Sequence, residues 1–169
     1  MKRLYTLGHS RHGIAHFIEL ARQHGVTLIA DVRGQPFSRY NPQFNREKFR
    51  DSLESAGLAY QWFGDRLSGR PAEREFYGPD GDVQWDKLRQ WPELQDGLDR
   101  LLFQAATKTI ALVCAEENPL QCHRRFLLTP PLLAAGAEIH HIRGDGSVES
   151  EQELARRSDD PQLDLFGSG

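Results

Sequence analysis

Residues 114–124, CAEENPLQCHR, gather two thiols, two carboxylates, an imidazole and a guanidinium within eleven positions. The thiolate is the nucleophilic form of cysteine, and it is favoured beside cations and at helix starts, where unpaired amides also hold anions. Cys122, beside His123 and Arg124 and ahead of a helical pattern, fits that description. Cys114 ends an apolar run and reads either as a small core residue or as a second candidate nucleophile. Glu116 and His9 are the candidate acid–base groups, with the Ser10 hydroxyl next to His9. Asp31 and Arg33, in "ADVR", either pair with each other or serve the site. Arg33 and Arg124 are the guanidinium groups suited to holding a phosphate. Cys114, Cys122, His123 and His9 would supply four metal ligands, but their spacing matches none of the short paired patterns of zinc sites. No metal and no cofactor is therefore expected.

The elements that must position these groups alternate along the chain. Strands are expected at 4–8 (LYTLG), 27–33 (TLIADVR), 58–64 (LAYQWFG), 109–116 (TIALVCAE) and 137–143 (AEIHHIR). Helices are expected at 13–25, at 45–57 with Asn45 as cap and Gly57 as stop, at 92–106, and from about Cys122. Pro130 and Pro131 should break or kink that last helix. Such alternation implies an α/β fold, a mostly parallel sheet of about five strands with helices on both faces. Ligands of open parallel sheets bind outside the carboxyl ends of the strands. That rule brings His9–Ser10, Asp31–Arg33 and residues 114–124 to one rim. Residues 65–83, rich in glycine, proline and charge, read as a long functional loop.

Between Arg33 and Arg74, eight basic residues interleave with seven aromatic ones. Arginine neutralises phosphate and aromatic faces accept bases, so the mixture suits single-stranded or flipped-out nucleic acid. Arg33, Ser38, Arg39, Tyr40, Arg66 and Arg70 are the candidate contacts. Phe49 and Leu53, at helical spacing, read as core, and Arg46 and Arg50 as a solvated helix face.

The 169 residues suit one domain with an extension, and 38% hydrophobic content with 27% charge is ordinary for a soluble globular protein. No apolar run reaches bilayer length and no signal peptide is evident, so a cytoplasmic protein with reduced thiols and no membrane partner is expected. From Asp145 onward seven acids stand against Arg156 and Arg157, a balance of -5 within the chain's -3, which leaves +2 for the rest. The chain thus divides into a mildly basic body, 1–144, and an acidic, flexible tail, 145–169, with a short helical piece near 150–157. The tail closes on QLDLF: Gln162, Leu163, Asp164, Leu165 and Phe166.

Taken together, "GHS", "DVR" with "PFSRYNPQFN", "GLAYQWFGDRLSGRP", and "CAEENPLQCHR" followed by "HHIRGDG" resemble the DUF488 family over residues 4–146. The resemblance implies a Rossmann-like three-layer sandwich. It places His9, Ser10, Asp31, Arg33, Pro36, Ser38, Cys114, Glu116, Cys122, His123 and Arg124 at motif positions. It brings no reaction, although glycosylase and DNA lyase labels within the family point toward nucleic acid. Ser68, where a second glycine is usual, and the "TPPLLAAG" interruption depart from its pattern. QLDLF in turn resembles the pentapeptide with which bacterial replication and repair proteins bind the DNA sliding clamp. There Gln162 would make amide hydrogen bonds, and Leu165 with Phe166 would fill an apolar pocket. Each buried side chain yields roughly 1.5 to 3 kcal/mol, against about 2 to 5 kcal/mol for ordering the tail. The tether would be weak alone and effective with a second contact.

The resulting expectation is a DNA repair or replication protein that docks on the clamp and binds or processes nucleic acid through its body. If it is an enzyme, hydrolase or lyase chemistry on DNA is expected. Two alternatives stand beside it: a thiol-dependent enzyme, similar in layout to sulfurtransferases or phosphatases, acting through Cys114 or Cys122, and a non-catalytic clamp adaptor.

Overall fold

Side chains on a strand alternate between faces, and the fourth strand, β4 (Ile110–Cys114), shows what that does here. Ile110, Leu112 and Cys114 enter one apolar cluster, while Ala111 and Val113 enter another on the opposite face. A strand buried on both sides needs a helical layer on each. The computed structural model, which describes residues 2–159, has that three-layer α/β architecture.

The other strands are β1 (Lys2–Gly8), β2 (Leu28–Asp31), β3 (Ala59–Trp62), β5 (Ala137–Ile142) and β6 (Val148–Ser150), in the order β3-β2-β4-β1-β5-β6. All neighbours are parallel except β5 and β6. One face is covered by α1 (Ile14–Gln23) and α2 (Arg46–Ser55), which bury Phe17, Leu20, Phe49 and Leu53. On the other face lie α3 (Gly64–Leu67), α4 (Trp85–Arg89), α5 (Pro92–Gln104) and α6 (Thr129–Ala134). The chain leaves β1 toward β2 on one side and leaves β4 toward β5 on the other. Adjacent strands whose connections diverge open a crevice at their carboxyl ends.

Three local features differ from expectation. Asn45 stands at the N-cap of α2, but its Oδ1 accepts the Ser38 amide (2.7 Å) and makes no cap bond. Residues 124–128 form a π-helical turn that passes directly into α6, with prolines in the first turn of that helix. Proline is tolerated there because the first-turn amides have no intrahelical partner, and Thr129 Oγ1 donates to the Arg124 carbonyl (3.1 Å). The sheet has six strands, because residues 145–159, expected within a flexible tail, supply β6 and α7 (Glu151–Asp159).

A buried polar chain fastens α7 to the sheet. Thr6 Oγ1 donates to His141 Nδ1 (2.7 Å), and His141 Nε2 donates to Glu151 (2.7 Å). Arg125 Nε donates to the same carboxylate (2.9 Å). Leu154 is fully buried beside this chain of contacts. A polar sequence thus joins the fold through one buried leucine, the Glu151 carboxylate and the Arg157–Glu149 pair (2.9 and 3.1 Å). The clamp-like peptide, Gln162–Phe166, lies outside the described residues. Among the described residues no helix is long and apolar enough to cross a membrane.

Candidate functional site

The carboxyl ends of β1, β2 and β4 deliver three loops to a cleft of about 1440 Å³. The first loop begins at Gly8, where a Cβ would lie 1.8 Å from the Glu116 carbonyl oxygen, so only glycine lets the two loops close on each other. The His9 amide donates to the Cys114 carbonyl and the Ser10 amide to that of Ala115, both at 2.9 Å. Ser10 is held at φ 46, a left-handed conformation that costs a non-glycine residue of order 1 kcal/mol. The surrounding hydrogen bonds over-determine it.

His9 is buried and stacked on Phe44, with centroids 4.5 Å apart. Its Nδ1 donates to the Ser10 carbonyl (2.8 Å), leaving Nε2 as the unprotonated nitrogen. Burial pushes its pKa down to about 4, more than the Ser10 carbonyl raises it. At neutral pH His9 is a neutral imidazole on the cleft wall, able to accept a proton or a hydrogen bond.

Asp31 and Arg33 form scaffolding. Arg33 Nε and Nη2 donate to the two oxygens of Asp31 (2.9 and 2.8 Å), and Nη2 also donates to the Phe44 carbonyl (2.7 Å). Tyr60 adds a 2.6 Å bond to Asp31, and burial followed by the Asp31 charge raises the phenol's pKa. Arg33 lines the cleft with its backbone fixed, since its carbonyl accepts from Trp62 Nε1 (2.8 Å). Ser38 is a turn residue whose Oγ accepts the amides of Tyr40 (3.2 Å) and Asn41 (3.0 Å). That turn holds out Phe37 and Tyr40, 75% and 87% exposed. Arg39 is exposed on the same loop.

The third loop brings Cys114, Glu116 and His123 into the cleft. The Cys122 sulfur meets that of Cys114. On sequence either thiol alone is a candidate; tertiary structure makes them neighbours. His123 Nδ1 lies 3.9 Å from Cys122 Sγ, its Nε2 is buried with no partner among the described residues, and burial lowers its pKa to about 4. Gly69 permits this packing, for a Cβ there would fall 2.4 Å from His123 Cβ. Arg124 is not a cleft residue. It is fully buried, Nη2 donates to the Glu117 carbonyl (2.7 Å), and desolvation brings its pKa to about 10. Glu117, missed by sequence reasoning, grips Arg143 (2.9 and 3.1 Å) and the Gly144 amide (3.0 Å), and the Arg143 bond lowers its pKa.

Residues 65–83 close the far side of the cleft as α3, a 3-10 turn at Arg74–Phe76 and an isolated bridge between Tyr77 and Val83. Arg70 is exposed there, whereas Arg66 is tied to Asp96 (3.0 Å). Trp62, Trp85 and Trp91, all three tryptophans of the chain, line the cleft, and so does Tyr77. Trp85, Trp91 and Tyr77 were not singled out from sequence, since they lie in or beside a segment without periodicity. Asp65, Glu73, Asp82 and Glu116 also line it, so the cleft is aromatic and mixed in charge.

A family model described as "Domain of unknown function DUF488" matches residues 13–129. No curated protein and no solved structure matches the chain.

Proposed function

Because the chain belongs to the DUF488 family, whose description assigns no activity, we propose its function from its own cleft: it binds a nucleotide unit of a nucleic acid, in repair or replication. The observation that carries this reading is the aromatic lining, which includes the exposed ring of Phe37, with exposed Arg39 and Tyr40 following it on the same loop. Aromatic faces stack on bases at about 1–3 kcal/mol per base. The acids in the lining disfavour a polyphosphate and leave the body of the cleft to a neutral base with hydrogen-bond donors. Exposed Arg11 and Arg70 in the lining, with exposed Arg39 on the Phe37 loop, suit the flanking phosphates. Neutral His9 and exposed Glu116 supply the acid–base pair for hydrolytic or lyase chemistry on such a base.

The terminal peptide Gln162–Phe166 completes the proposal. It brings the chain to the DNA sliding clamp, so a weak peptide contact and a weak cleft contact reinforce each other through effective concentration. Two arms test this. Purified clamp retains the full chain and fails to retain Leu165→Ala/Phe166→Ala. Separately, Phe37→Ala/Tyr40→Ala weakens binding to single-stranded oligonucleotide about tenfold or more. Unchanged retention removes the clamp half, and unchanged oligonucleotide binding removes the cleft half.

A thiol reading also has an observation in its favour, the Cys114–Cys122 contact at the cleft floor. As a nucleophile either cysteine would alkylate quickly near neutral pH, and slow, denaturant-dependent labelling excludes that reading.

A further inference from the structure

Cys114 Sγ, Cys122 Sγ and a carboxylate oxygen of Glu116 all lie within 4.8 Å of one another. We propose that these three groups are the protein ligands of a zinc site at the cleft floor, with the fourth position open to whatever the cleft binds. The proposal does not rest on nucleic-acid binding by the cleft; with the ion bound, Glu116 serves as its ligand and His9 alone remains for acid–base work.

The first argument is the span between the two cysteines. Their Cα atoms are 7.4 Å apart, whereas backbones more than about 7 Å apart do not accept a disulfide without moving. Here movement is resisted on both sides. Cys114 is in register with Gly8 in the sheet, and its carbonyl accepts the His9 amide. The Cys122 carbonyl accepts the amides of Arg125 and Phe126 at the start of the π-helical turn. A bridging ion relieves the mismatch. Two Zn–S bonds of about 2.3 Å at a tetrahedral angle set the sulfurs about 3.8 Å apart, which suits backbones held wider than a disulfide tolerates.

The second argument concerns charge. Cys122 Sγ accepts the Arg124 amide (3.5 Å), an outer hydrogen bond of the kind that orients a metal's sulfur ligand. Both cysteines are buried, so two thiolates there need a cation, and the carboxylate of Glu116 stands on the solvent side. Two soft sulfurs and one oxygen, with one position left to the cleft, match the three-ligand pattern of open zinc sites. On sequence, His9 and His123 are the conceivable partners of the two cysteines, and the spacing argues against a metal. Neither belongs to this cluster, and Glu116, two residues past Cys114, takes the place.

The test uses the full chain, reduced and stripped with a chelator, then titrated with cobalt(II) and zinc. One equivalent of cobalt should produce a sulfur-to-cobalt charge-transfer band that one equivalent of zinc abolishes. Zinc should slow alkylation of both thiols by about tenfold or more. Cys114→Ser and Cys122→Ser should each lose the band, and Glu116→Gln should keep it with affinity lowered by roughly tenfold or more. If a cysteine variant fails to fold, the wild-type stoichiometry and the alkylation protection decide. Reduced wild-type protein without the band, or a band that survives in both folded cysteine variants, overturns the site. So does a pair that remains joined as a disulfide under reductant.

Discussion

Replacing Asp31 with alanine removes the acceptor of four hydrogen bonds at the floor of the cleft: the Arg33 amide (3.1 Å), Arg33 Nε (2.9 Å), Arg33 Nη2 (2.8 Å) and the Tyr60 hydroxyl (2.6 Å). Both charged partners are buried, so the guanidinium left behind keeps only the Phe44 carbonyl and no counter-ion. Breaking such a pair from one side costs about 3–5 kcal/mol. At 2–4 °C per kcal/mol for a chain of this size, the Tm should fall by roughly 6–20 °C. Urea denaturation of Asp31→Ala, Arg33→Met and the double variant separates the contributions. The double variant should be more stable than Asp31→Ala alone, because it no longer buries an unpaired charge, and the cycle should be strongly non-additive. A loss below about 1 kcal/mol for Asp31→Ala, of the size seen for exposed pairs, would refute the scaffolding role and return Arg33 to the ligand.

Other predictions follow from the same geometry. His9 has a folded pKa of about 4, below its ordinary 6.5, so the unfolded chain takes up this proton first as pH falls. Its contribution is full above pH 6.5 and fades by about 3 kcal/mol on the way to pH 4; His9→Gln should flatten stability against pH in that window, and an unchanged slope contradicts the burial argument. Gly8→Ala drives a Cβ to 1.8 Å from the Glu116 carbonyl oxygen and should destabilise by about 1–3 kcal/mol or more. Gly13→Ala, with nothing within 4 Å, should change little, so equal melting temperatures for the two would refute the close approach. Glu151→Ala strands His141 and Arg125 and should expose α7 to proteolysis and amide exchange well before global unfolding. Protection equal to wild type would show that Leu154 and the Arg157–Glu149 pair hold that helix without Glu151.

The layered fold was legible because strands buried on both faces, such as 110–114, read as unbroken apolar runs, while α1 and α2 repeat at helical spacing. The rim was legible too, since His9, Ser10, Arg33, Cys114, Glu116 and His123 all line one cleft at the strand ends. Less legible was what each group does there. Arg33 and Arg124 look like phosphate ligands in a list of residue types, yet one is clamped by Asp31 and the other is enclosed beneath Glu117. Pairing of Asp31 with Arg33, two residues apart, is one of the two readings open on sequence, whereas Glu117 and Arg124, seven apart, leave no local trace of their contact. The helical piece near 150–157 was legible and stands at Glu151–Asp159, but the strand before it and its attachment to the sheet were hidden for a related reason. Its polar sequence is joined to the body by the contacts of Glu151 with Arg125 and His141 and of Glu149 with Arg143, and a single leucine gives no periodicity. Tyr77, Trp85 and Trp91 reached the cleft through a segment whose shape comes from packing rather than pattern.

All three tryptophans line the cleft, so intrinsic fluorescence reports on it directly. Titrating the full chain with a short single-stranded oligonucleotide at low salt should give saturable quenching that weakens as salt rises. The curve should shift by about tenfold or more in Phe37→Ala/Tyr40→Ala. An emission spectrum unmoved by any oligonucleotide at low salt would contradict the account, whatever the terminal peptide binds.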